Sequence, residues 1–224
     1  MFGNNPILPP KKTDGQNLDV QEIFATFQGE GIFTGFPSIF IRLGGCNLAC
    51  AFCDTEFDSY KNLSLKKVLE KTKKLAEKKG KRTHNLVVIT GGEPLRQNII
   101  PFCRELLKEN FQVQIETNGT LFQNLPNQVN IICSPKNPTG KYYPIRPDLL
   151  PKISAFKFLI SAHNKNYNFV PKVGQSQYQT PVYLQPIDEY DEKKNEDNRQ
   201  LTLKLAQKNG CRLSLQTHKF WGIN

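Results

Sequence analysis

The chain has 224 residues, of which 38% are hydrophobic, and it carries a formal net charge of +10. This length fits one domain or two small ones, and the hydrophobic content can supply one core. We expect neither a membrane protein nor a secreted one, because no apolar run reaches the length of a membrane span and the first residues lack a secretory h-region. Six cysteines without a secretory signal predict a reducing compartment, the cytoplasm.

The pattern of apolar residues predicts strands that alternate with helices or long loops. Residues 1–19 lack periodicity and are predicted to form a loose N-terminal arm, followed by a single domain over residues 20–224. The predicted strands are residues 20–27, 38–43, 86–90, 111–115, 129–133, 155–160, 182–184 and 211–215. The predicted helices are the stretch between Ser64 as N-cap and Gly80, residues 98–110 and residues 191–208.

Strands that are apolar throughout indicate a parallel sheet that is covered on both faces. Seven such runs fit a barrel, but the chain is shorter than the roughly 250 residues of a complete eightfold one. We therefore predict an α/β fold, an incomplete TIM-like (β/α) barrel with mostly parallel strands. Nearly every polar cluster follows a strand, which places these clusters on the face where such barrels build their active sites.

Three cysteines follow the second predicted strand with the spacing C-x3-C-x2-C: Cys46, Cys50 and Cys53. Gly44 and Gly45 open this loop and give it the freedom to turn three sulfurs inward. Zinc sites usually pair C-x2-C with a second pair of ligands, and the sequence has no second pair. Cubane iron–sulfur clusters usually take four cysteine thiolates, so three would leave one iron with an open position. A zinc site and three chance thiols stay open as alternatives.

The same spacing is the signature of radical S-adenosylmethionine (SAM) enzymes. Three other segments of the chain narrow the resemblance to one family of these enzymes. These segments are EIFATFQGEG at residues 22–31, CDT at residues 53–55 and QTHK at residues 216–219. Together they resemble the 7-carboxy-7-deazaguanine synthase family of the queuosine and deazapurine pathway, over residues 20–224. The resemblance implies a lyase that contracts the ring of 6-carboxy-5,6,7,8-tetrahydropterin with loss of ammonia, using a 4Fe–4S cluster, SAM and Mg²⁺.

The resemblance assigns the cofactor contacts to loops that follow predicted strands. Cys46, Cys50 and Cys53 would ligate the cluster, and its open iron would bind the amino and carboxylate groups of SAM. The residues expected to contact SAM are Phe52, Asp54, Gly92, Glu93, Ser134, Pro135, Lys136, Gln185, Pro186, Ile187 and Asp188. In the Gly92-Glu93 loop, either the carboxylate or free backbone carbonyls can accept from the SAM ammonium. Phe52 could instead belong to the core, and the polar residues could be caps or turn residues.

Two further expectations concern single residues. Thr55 follows the last cysteine by two positions, and the resemblance implies that it binds Mg²⁺ while substrate oxygens and waters complete the shell. It could instead be a turn residue or an N-cap. Glu116, directly after the strand predicted at 111–115, is a candidate contact of the nucleoside.

Gln28, Glu30 and Arg42 match the substrate-binding residues of the family. Arg42 interrupts an apolar run and needs a partner, which the substrate carboxylate or an internal salt bridge would supply. Glu30 can accept hydrogen bonds from the N–H groups of a pterin, whereas Gln28 can both donate and accept. We also expect Thr90 to reach the substrate and Asn224 to contribute its α-carboxylate.

Residues 66–82 hold nine basic and two acidic residues, which is most of the net charge. No aromatic residue is interleaved with them, so we interpret this block as a solvated helix face and expect no direct binding of nucleic acid. Two other functions fit parts of the sequence: an activase of glycyl radical enzymes, and a zinc-stabilised RNA-binding module that would use the basic block. The resemblance further implies a small-molecule substrate, an external electron donor such as flavodoxin or ferredoxin, and a homodimer.

Overall fold

The computed structural model describes residues 5–50, 53, 55–57 and 59–223. In chain order the strands are β1 (Asn17–Phe27), β2 (Pro37–Leu43), β3 (Lys61–Ser64), β4 (Glu77–Lys78), β5 (Lys81–Arg82), β6 (Leu86–Gly91), β7 (Gln112–Thr117), β8 (Asn130–Cys133), β9 (Ile153–Ile160), β10 (Val182–Pro186) and β11 (Arg212–Leu213). The α-helices are α1 (Leu65–Ala76), α2 (Ile100–Lys108), α3 (Glu192–Asn209) and α4 (Thr217–Trp221).

The main sheet has the strand order β11-β10-β9-β8-β7-β6-β2-β1-β3. Every neighbouring pair from β2 to β11 is parallel, whereas β1 runs antiparallel to both β2 and β3. Within the described ranges, β3 and β11 lie at opposite edges and the sheet does not close. The predicted fold is confirmed: an α/β structure with mostly parallel strands in an incomplete barrel.

The core lies between this sheet and the helices that pack on its outer face. In β6 the side chains of residues 86–89 are fully buried, as expected for a strand that is covered on both sides. Val87 and Ile89 share one apolar cluster with Phe102 and Leu106 of α2 and Val68 of α1. Burial of each such side chain stabilises the fold by about 1.5–3 kcal/mol, so the strand ends sit on a rigid base.

Helix α1 begins where the sequence predicts and ends earlier. The Ser64 side chain accepts a hydrogen bond from the backbone N–H of Lys67, which confirms the predicted N-cap. The helix ends at Ala76, so the prediction that it continues to Gly80 was wrong. Strands β4 and β5 pair as a short hairpin instead, because Lys79 and Gly80 adopt left-handed φ values of 51° and 72°, which a tight two-residue turn needs.

Other boundaries shift by a few residues, and some of these shifts matter for the site. Strand β7 continues to Thr117 and β10 to Pro186, so Glu116 and Gln185 lie in the strands and not in the loops behind them. Strand β11 has two residues, in place of the five that were predicted. Among the described residues, no helix has both the length and the apolar character that a membrane crossing needs.

The predicted N-terminal arm is held in place where the structure describes it. The Leu8 N–H donates to the Cys46 carbonyl at 2.8 Å. The buried Asn5 side chain donates to the Thr55 carbonyl and accepts from the Phe57 N–H, both at 2.8 Å. Residues 5–8 therefore hold the cysteine loop by hydrogen bonds, and the arm joins the sheet at Asn17.

Candidate active site

A cavity of about 730 Å³ opens at the carboxyl ends of the parallel strands. This volume is in the range of small-molecule sites. Residues at or after the ends of β2, β6, β7, β8 and β10 contribute to its walls, and β9 contributes side chains from within the strand. The predicted face of the barrel thus carries this cavity, and most of the predicted site residues meet there.

The three motif cysteines line this cavity together. Cys46, Cys50 and Cys53 form no disulfide and pack with Leu48 and Phe57 in a small apolar cluster of their own. The backbone hydrogen bonds that hold the loop include those from Gly45 N to the Phe57 carbonyl at 2.8 Å and from Cys53 N to the Cys50 carbonyl at 3.0 Å. The spacing therefore places all three sulfurs at one end of the cavity.

The cysteine set can supply thiolate ligands to a metal centre. Burial raises the pKa of the Cys46 thiol to about 12 and also raises that of Cys50, so both need a nearby cation to ionise at neutral pH. In the part of the chain that the structure describes, no three His, Cys, Asp or Glu side chains already surround a single metal position. In a cubane cluster each cysteine binds a different iron, so the three thiols could hold three of its four irons.

The Gly91-Gly92 loop lies directly against the cysteine loop. A Cβ atom on Gly92 would come within 2.0 Å of the Gly45 carbonyl oxygen, and one on Gly91 within 2.1 Å of the Leu43 carbonyl oxygen. Gly91 also has a φ of 123°, which favours glycine. The Gly92 N–H donates to the Leu43 carbonyl at 3.1 Å. Only glycine lets this backbone approach the cysteines so closely, and Gly91 and Gly92 both line the cavity.

Glu93 is fully buried and does not line the cavity. Its carboxylate accepts hydrogen bonds from Thr117 Oγ1 at 2.7 Å, Asn118 N at 2.7 Å and Leu95 N at 3.0 Å. Burial raises its pKa although these donors act in the opposite direction. The carboxylate therefore ties the loop after β6 to the end of β7. Of the two alternatives that the sequence left open for the SAM ammonium, the geometry favours the backbone carbonyls.

The structure brings most of the other expected SAM contacts together. The cavity-lining members are Ser134, Lys136, Gln185, Pro186, Ile187 and Asp188. Lys136 Nζ donates to both the carbonyl and the hydroxyl of Ser134, at 2.9 and 2.7 Å. Pro135, also expected to contact SAM, is not among the cavity-lining residues described. Phe52 and Asp54 lie outside the described residues.

Thr55 and Arg42 meet at the cavity wall, and Thr90 lines the same cavity. Arg42 Nη1 donates to Thr55 Oγ1 at 3.2 Å. Arg42 Nε also lies 3.8 Å from a carboxylate oxygen of Glu22, a residue whose side chain is half exposed. The internal salt bridge that the sequence offered as an alternative is thus present, but it is long, exposed and weak. It does not provide the bidentate geometry that a guanidinium prefers.

A buried lysine on the cavity floor was missed by the sequence analysis. Lys157 lies within β9, is 7% exposed, and donates from Nζ to a carboxylate oxygen of Glu30 and, at 2.6 Å, to Glu116 Oε2. Burial disfavours its charged form, but the two carboxylates outweigh burial and raise its pKa. Burial would also raise the Glu30 pKa, but the charge and hydrogen bond of Lys157 lower it to about 2.

Glu30 and Gln28, two predicted substrate residues, belong to this floor. Gln185 Nε2 and Gln216 Nε2 each donate to Glu30 Oε1 at 3.0 Å. Gln28 Nε2 donates to Glu116 Oε1 at 3.3 Å, and Gln28 Oε1 accepts from the Glu30 N–H at 3.1 Å. Both carboxylates keep about 15% of their side-chain surface exposed. The floor is therefore an ordered, polar surface that faces the cavity.

Helix α4 and Ile223 cover one side of the cavity. His218, Lys219 and Ile223 line it, and Lys219 Nζ forms an ion pair with an oxygen of Asp188 at 2.6 Å. A Cβ atom on Gly29 would come within 2.2 Å of His218 Nδ1, so this contact requires glycine. Asn224, whose α-carboxylate was expected in the site, lies outside the described residues.

The comparisons with known proteins agree with this geometry. Residues 40–133 match the model of the Radical SAM superfamily. The chain is 56% identical to the 7-carboxy-7-deazaguanine synthase of Rickettsia prowazekii, over 100% of this chain and 96% of the relative. It is 39% identical to the 7-carboxy-7-deazaguanine synthase of Rhodospirillum rubrum, over 100% of both chains. The crystal structure of QueE from Escherichia coli superposes with a TM-score of 0.69 and 27% identity, over 89% of this chain and 93% of that one.

Proposed function

Because the chain belongs to the 7-carboxy-7-deazaguanine synthase family of the radical SAM superfamily, we propose that it converts 6-carboxy-5,6,7,8-tetrahydropterin to 7-carboxy-7-deazaguanine with loss of ammonia. One observation carries the proposal. The cysteine loop, the glycine loop pressed against it and the Glu30–Lys157–Glu116 floor all border one cavity of about 730 Å³. The cavity thus offers thiols at one end and ordered acceptors for a small polar ring on its floor.

The family uses a 4Fe–4S cluster and SAM, and this chain has the residues to hold both. When bound, the cluster and SAM supply the 5′-deoxyadenosyl radical that takes a hydrogen atom from C6 of the pterin. Cys46, Cys50 and Cys53 would bind three irons and leave the fourth without a protein ligand. A backbone carbonyl at Gly92 would accept a hydrogen bond from the SAM ammonium. The hydroxyl group of Ser134 and the amide group of Gln185 could form hydrogen bonds with the ribose and the adenine.

The substrate would lie between Arg42 and the cavity floor. The Arg42 guanidinium is a geometric match for the pterin carboxylate, since its internal partner Glu22 is distant and exposed. Glu30, held ionised by Lys157, would accept from ring N–H groups. Because α4 lines the cavity and its Lys219 forms an ion pair with Asp188 there, the bound substrate would itself complete the exclusion of water.

We propose that Thr55 provides a protein ligand for Mg²⁺. Support comes from its position two residues after Cys53 and on the wall of the cavity. A neutral hydroxyl is a weak magnesium ligand, and the Arg42 guanidinium 3.2 Å away would repel a second cation. A carboxylate from the substrate between the two cations would remove this conflict. Magnesium binding is therefore expected to depend on the substrate.

The expected partners are proposals that rest on the family. A one-electron donor such as flavodoxin or ferredoxin would reduce the cluster, and the net charge of +10 would favour encounter with an acidic donor. None of the six cysteines, all of which lie within the described residues, forms a disulfide, which agrees with a reducing compartment. We propose that the enzyme works as a homodimer in the cytoplasm. The division into an arm at residues 1–19 and one domain at 20–224 also stays a prediction.

The two alternative functions explain less of the site. An activase of glycyl radical enzymes would share the cysteines and the glycine loop, but it has no need of Gln28, Glu30, Arg42 and Thr55 around one cavity. The RNA-binding module would use residues 66–82, which lie on α1, β4 and β5 and contribute nothing to the cavity walls described. The whole-chain identity to synthases decides between these functions.

The decisive experiment is anaerobic reconstitution with iron and sulfide, followed by incubation with SAM, a reductant and 6-carboxy-5,6,7,8-tetrahydropterin. We expect brown protein and formation of 7-carboxy-7-deazaguanine, detected by mass spectrometry. The Cys50→Ala variant should give neither, whereas a Cys211→Ala variant serves as the matched control for loss of a thiol outside the cavity. Brown wild-type protein that cleaves SAM and returns the pterin unchanged would contradict the proposed substrate. Colourless protein with bound zinc would contradict the radical chemistry.

A further inference from the structure

The cavity floor contains an ammonium group that joins two carboxylates from separate parts of the chain. Lys157 in β9 reaches Glu116 in β7, two strands away in the sheet, and Glu30 in the loop after β1. The side chain of Lys157 is 9% exposed and those of the carboxylates are 15% and 16% exposed. Such a group is costly to bury, and well-packed apolar residues often stabilise a core as well or better. Its presence in an otherwise apolar strand therefore points to a use beyond folding.

The hydrogen bonds of the two carboxylates determine which of their acceptor positions a ligand could use. A carboxylate has about four acceptor positions, two on each oxygen. Glu30 Oε1 accepts from Gln185 and Gln216, and Glu116 Oε1 accepts from Gln28 and Gln114. The other oxygen of each carboxylate, Oε2, accepts from Lys157 in the described hydrogen bonds.

The spare acceptor positions of both carboxylates are thus on the two oxygens that Lys157 holds. Because one Nζ atom contacts both oxygens, the two acceptors lie at most about 6 Å apart, twice the length of a hydrogen bond. Two acceptors this close can face the N–H groups on one edge of a ring, such as the ring amide and the exocyclic amine of a pterin.

We propose that Lys157 is a positioning residue, which fixes Glu30 and Glu116 as a pair of adjacent acceptors for the N–H edge of the substrate ring. This inference rests on the proposed function, because it takes the pterin as the ligand of the cavity floor. Lys157 itself points its ammonium at the carboxylates, and its effect on the substrate is exerted through them.

Loss of the ammonium would change the protonation of the floor. The charged and titratable groups that face Glu30 are Lys157 from β9, Glu116 from β7 and His218 from α4. Without Lys157, two carboxylates would stand next to each other in a buried place, where like charges cannot both ionise easily. A proton taken up by Glu30 would turn an acceptor into a donor that faces the ring N–H.

The test is equilibrium binding of 6-carboxy-5,6,7,8-tetrahydropterin to reconstituted protein, measured by calorimetry with SAM and without reductant so that nothing turns over. The variant is Lys157→Met, and the exposed Lys71→Met is the matched control. We expect Lys157→Met to bind the pterin at least about tenfold more weakly at pH 7, with wild-type affinity in the control. The ratio of wild-type to variant affinity cancels the titration of the pterin itself. This ratio should shrink as the pH rises from 6 to 8.5.

A second variant separates positioning from folding. The double variant Lys157→Met/Glu116→Gln also removes the negative charge of Glu116. The pKa of Glu30 in the double variant should therefore lie between its pKa in the wild type and its pKa in Lys157→Met. The affinity ratio of the double variant should therefore depend on pH over a lower range than that of the single variant. If Lys157→Met does not fold, the double variant decides alone, and a pH-independent ratio in it overturns the inference.

The inference and the proposed function fail in different ways. Wild-type protein that does not bind the pterin overturns both. Two results would overturn the inference while the wild type still binds the pterin and the proposed function stands. In the first, the affinity of Lys157→Met for the pterin is within twofold of the wild-type affinity. In the second, the variant loses affinity by the same factor at every pH. Weaker binding that recovers with rising pH supports the inference.

Discussion

The contact between Gly92 and the cysteine loop makes a Gly92→Ala variant the sharpest test of how the site is built. An added Cβ would lie 2.0 Å from the Gly45 carbonyl oxygen and 2.9 Å from the Cys46 nitrogen. Real Cβ atoms essentially never come closer than 3.0 Å to such atoms, so one of the two backbones must move. No flexible side-chain end is there to give way, and the loop that moves carries either the cysteines or the expected SAM contact.

The size of the effect follows from the packing. Overpacking a well-filled site costs about 1–3 kcal/mol, which corresponds to a fall in Tm of roughly 2–12 °C for a domain of this size. The larger effect should be on function, because a small displacement of the cysteine loop alters the positions of three ligands together. We expect Gly92→Ala to retain less than half of the wild-type iron after anaerobic reconstitution, and to cleave SAM at least tenfold more slowly.

Gly80→Ala is the matched control for this variant. Gly80 has a left-handed φ of 72° in the turn between β4 and β5, with nothing within 4 Å of an added Cβ. Its substitution should cost about 1 kcal/mol of backbone strain and leave iron content and SAM cleavage unchanged. Iron content and SAM cleavage at wild-type levels in Gly92→Ala would refute the reasoning about the two loops.

Three further predictions concern the walls and the floor. Arg42→Lys should raise KM for the pterin about tenfold or more with a smaller change in kcat, because an ammonium cannot bind a carboxylate bidentately; an unchanged KM would count against the proposed contact. Glu93→Gln should lower Tm by roughly 2–10 °C, because an amide cannot accept all three hydrogen bonds that brace the loop, and thermal unfolding at wild-type temperature would disprove the bracing. Glu30 should stabilise the fold above pH 4.5, its ordinary pKa, and lose this contribution as the pH falls toward its folded pKa of about 2. Urea denaturation of cluster-free protein at pH 6 and pH 3 should therefore show a smaller difference in the free energy of unfolding for Glu30→Gln than for wild type, by about 2 kcal/mol, and equal differences would contradict this.

The sheet could be predicted because its strands are buried on both faces. Runs such as residues 86–90 are apolar without alternation, which is typical of parallel strands between two layers of helices. The end of α1 could not be predicted in the same way. A lysine-rich stretch continues past Ala76, and the left-handed turn at Lys79-Gly80 gives a weaker signal than the helical pattern before it.

The cysteine loop could be predicted because its ligands are close in sequence. The spacing of Cys46, Cys50 and Cys53 constrains them to one place whatever the rest of the chain does. Lys157 had a signal of the same kind as Arg42, since it also interrupts an apolar run. Its partners, however, are 127 and 41 residues away in sequence, so its role becomes visible only when the strands are assembled.

The role of Glu93 shows a different limit of the sequence. A carboxylate beside two glycines at a strand end is compatible both with a ligand contact and with a brace. The choice depends on the hydroxyl of Thr117 and the N–H of Asn118, which arrive from the end of β7. A tertiary contact of this kind overrides what local pattern can indicate.

The central claim is that one cavity holds the radical source and the pterin together. It is tested most directly by following a hydrogen atom, with 6-carboxytetrahydropterin that carries deuterium at C6. Reconstituted wild-type protein should form 7-carboxy-7-deazaguanine and transfer the deuterium to the 5′ carbon of the adenosyl group, as read by mass spectrometry. Product formed with no deuterium in any adenosyl species would contradict the account.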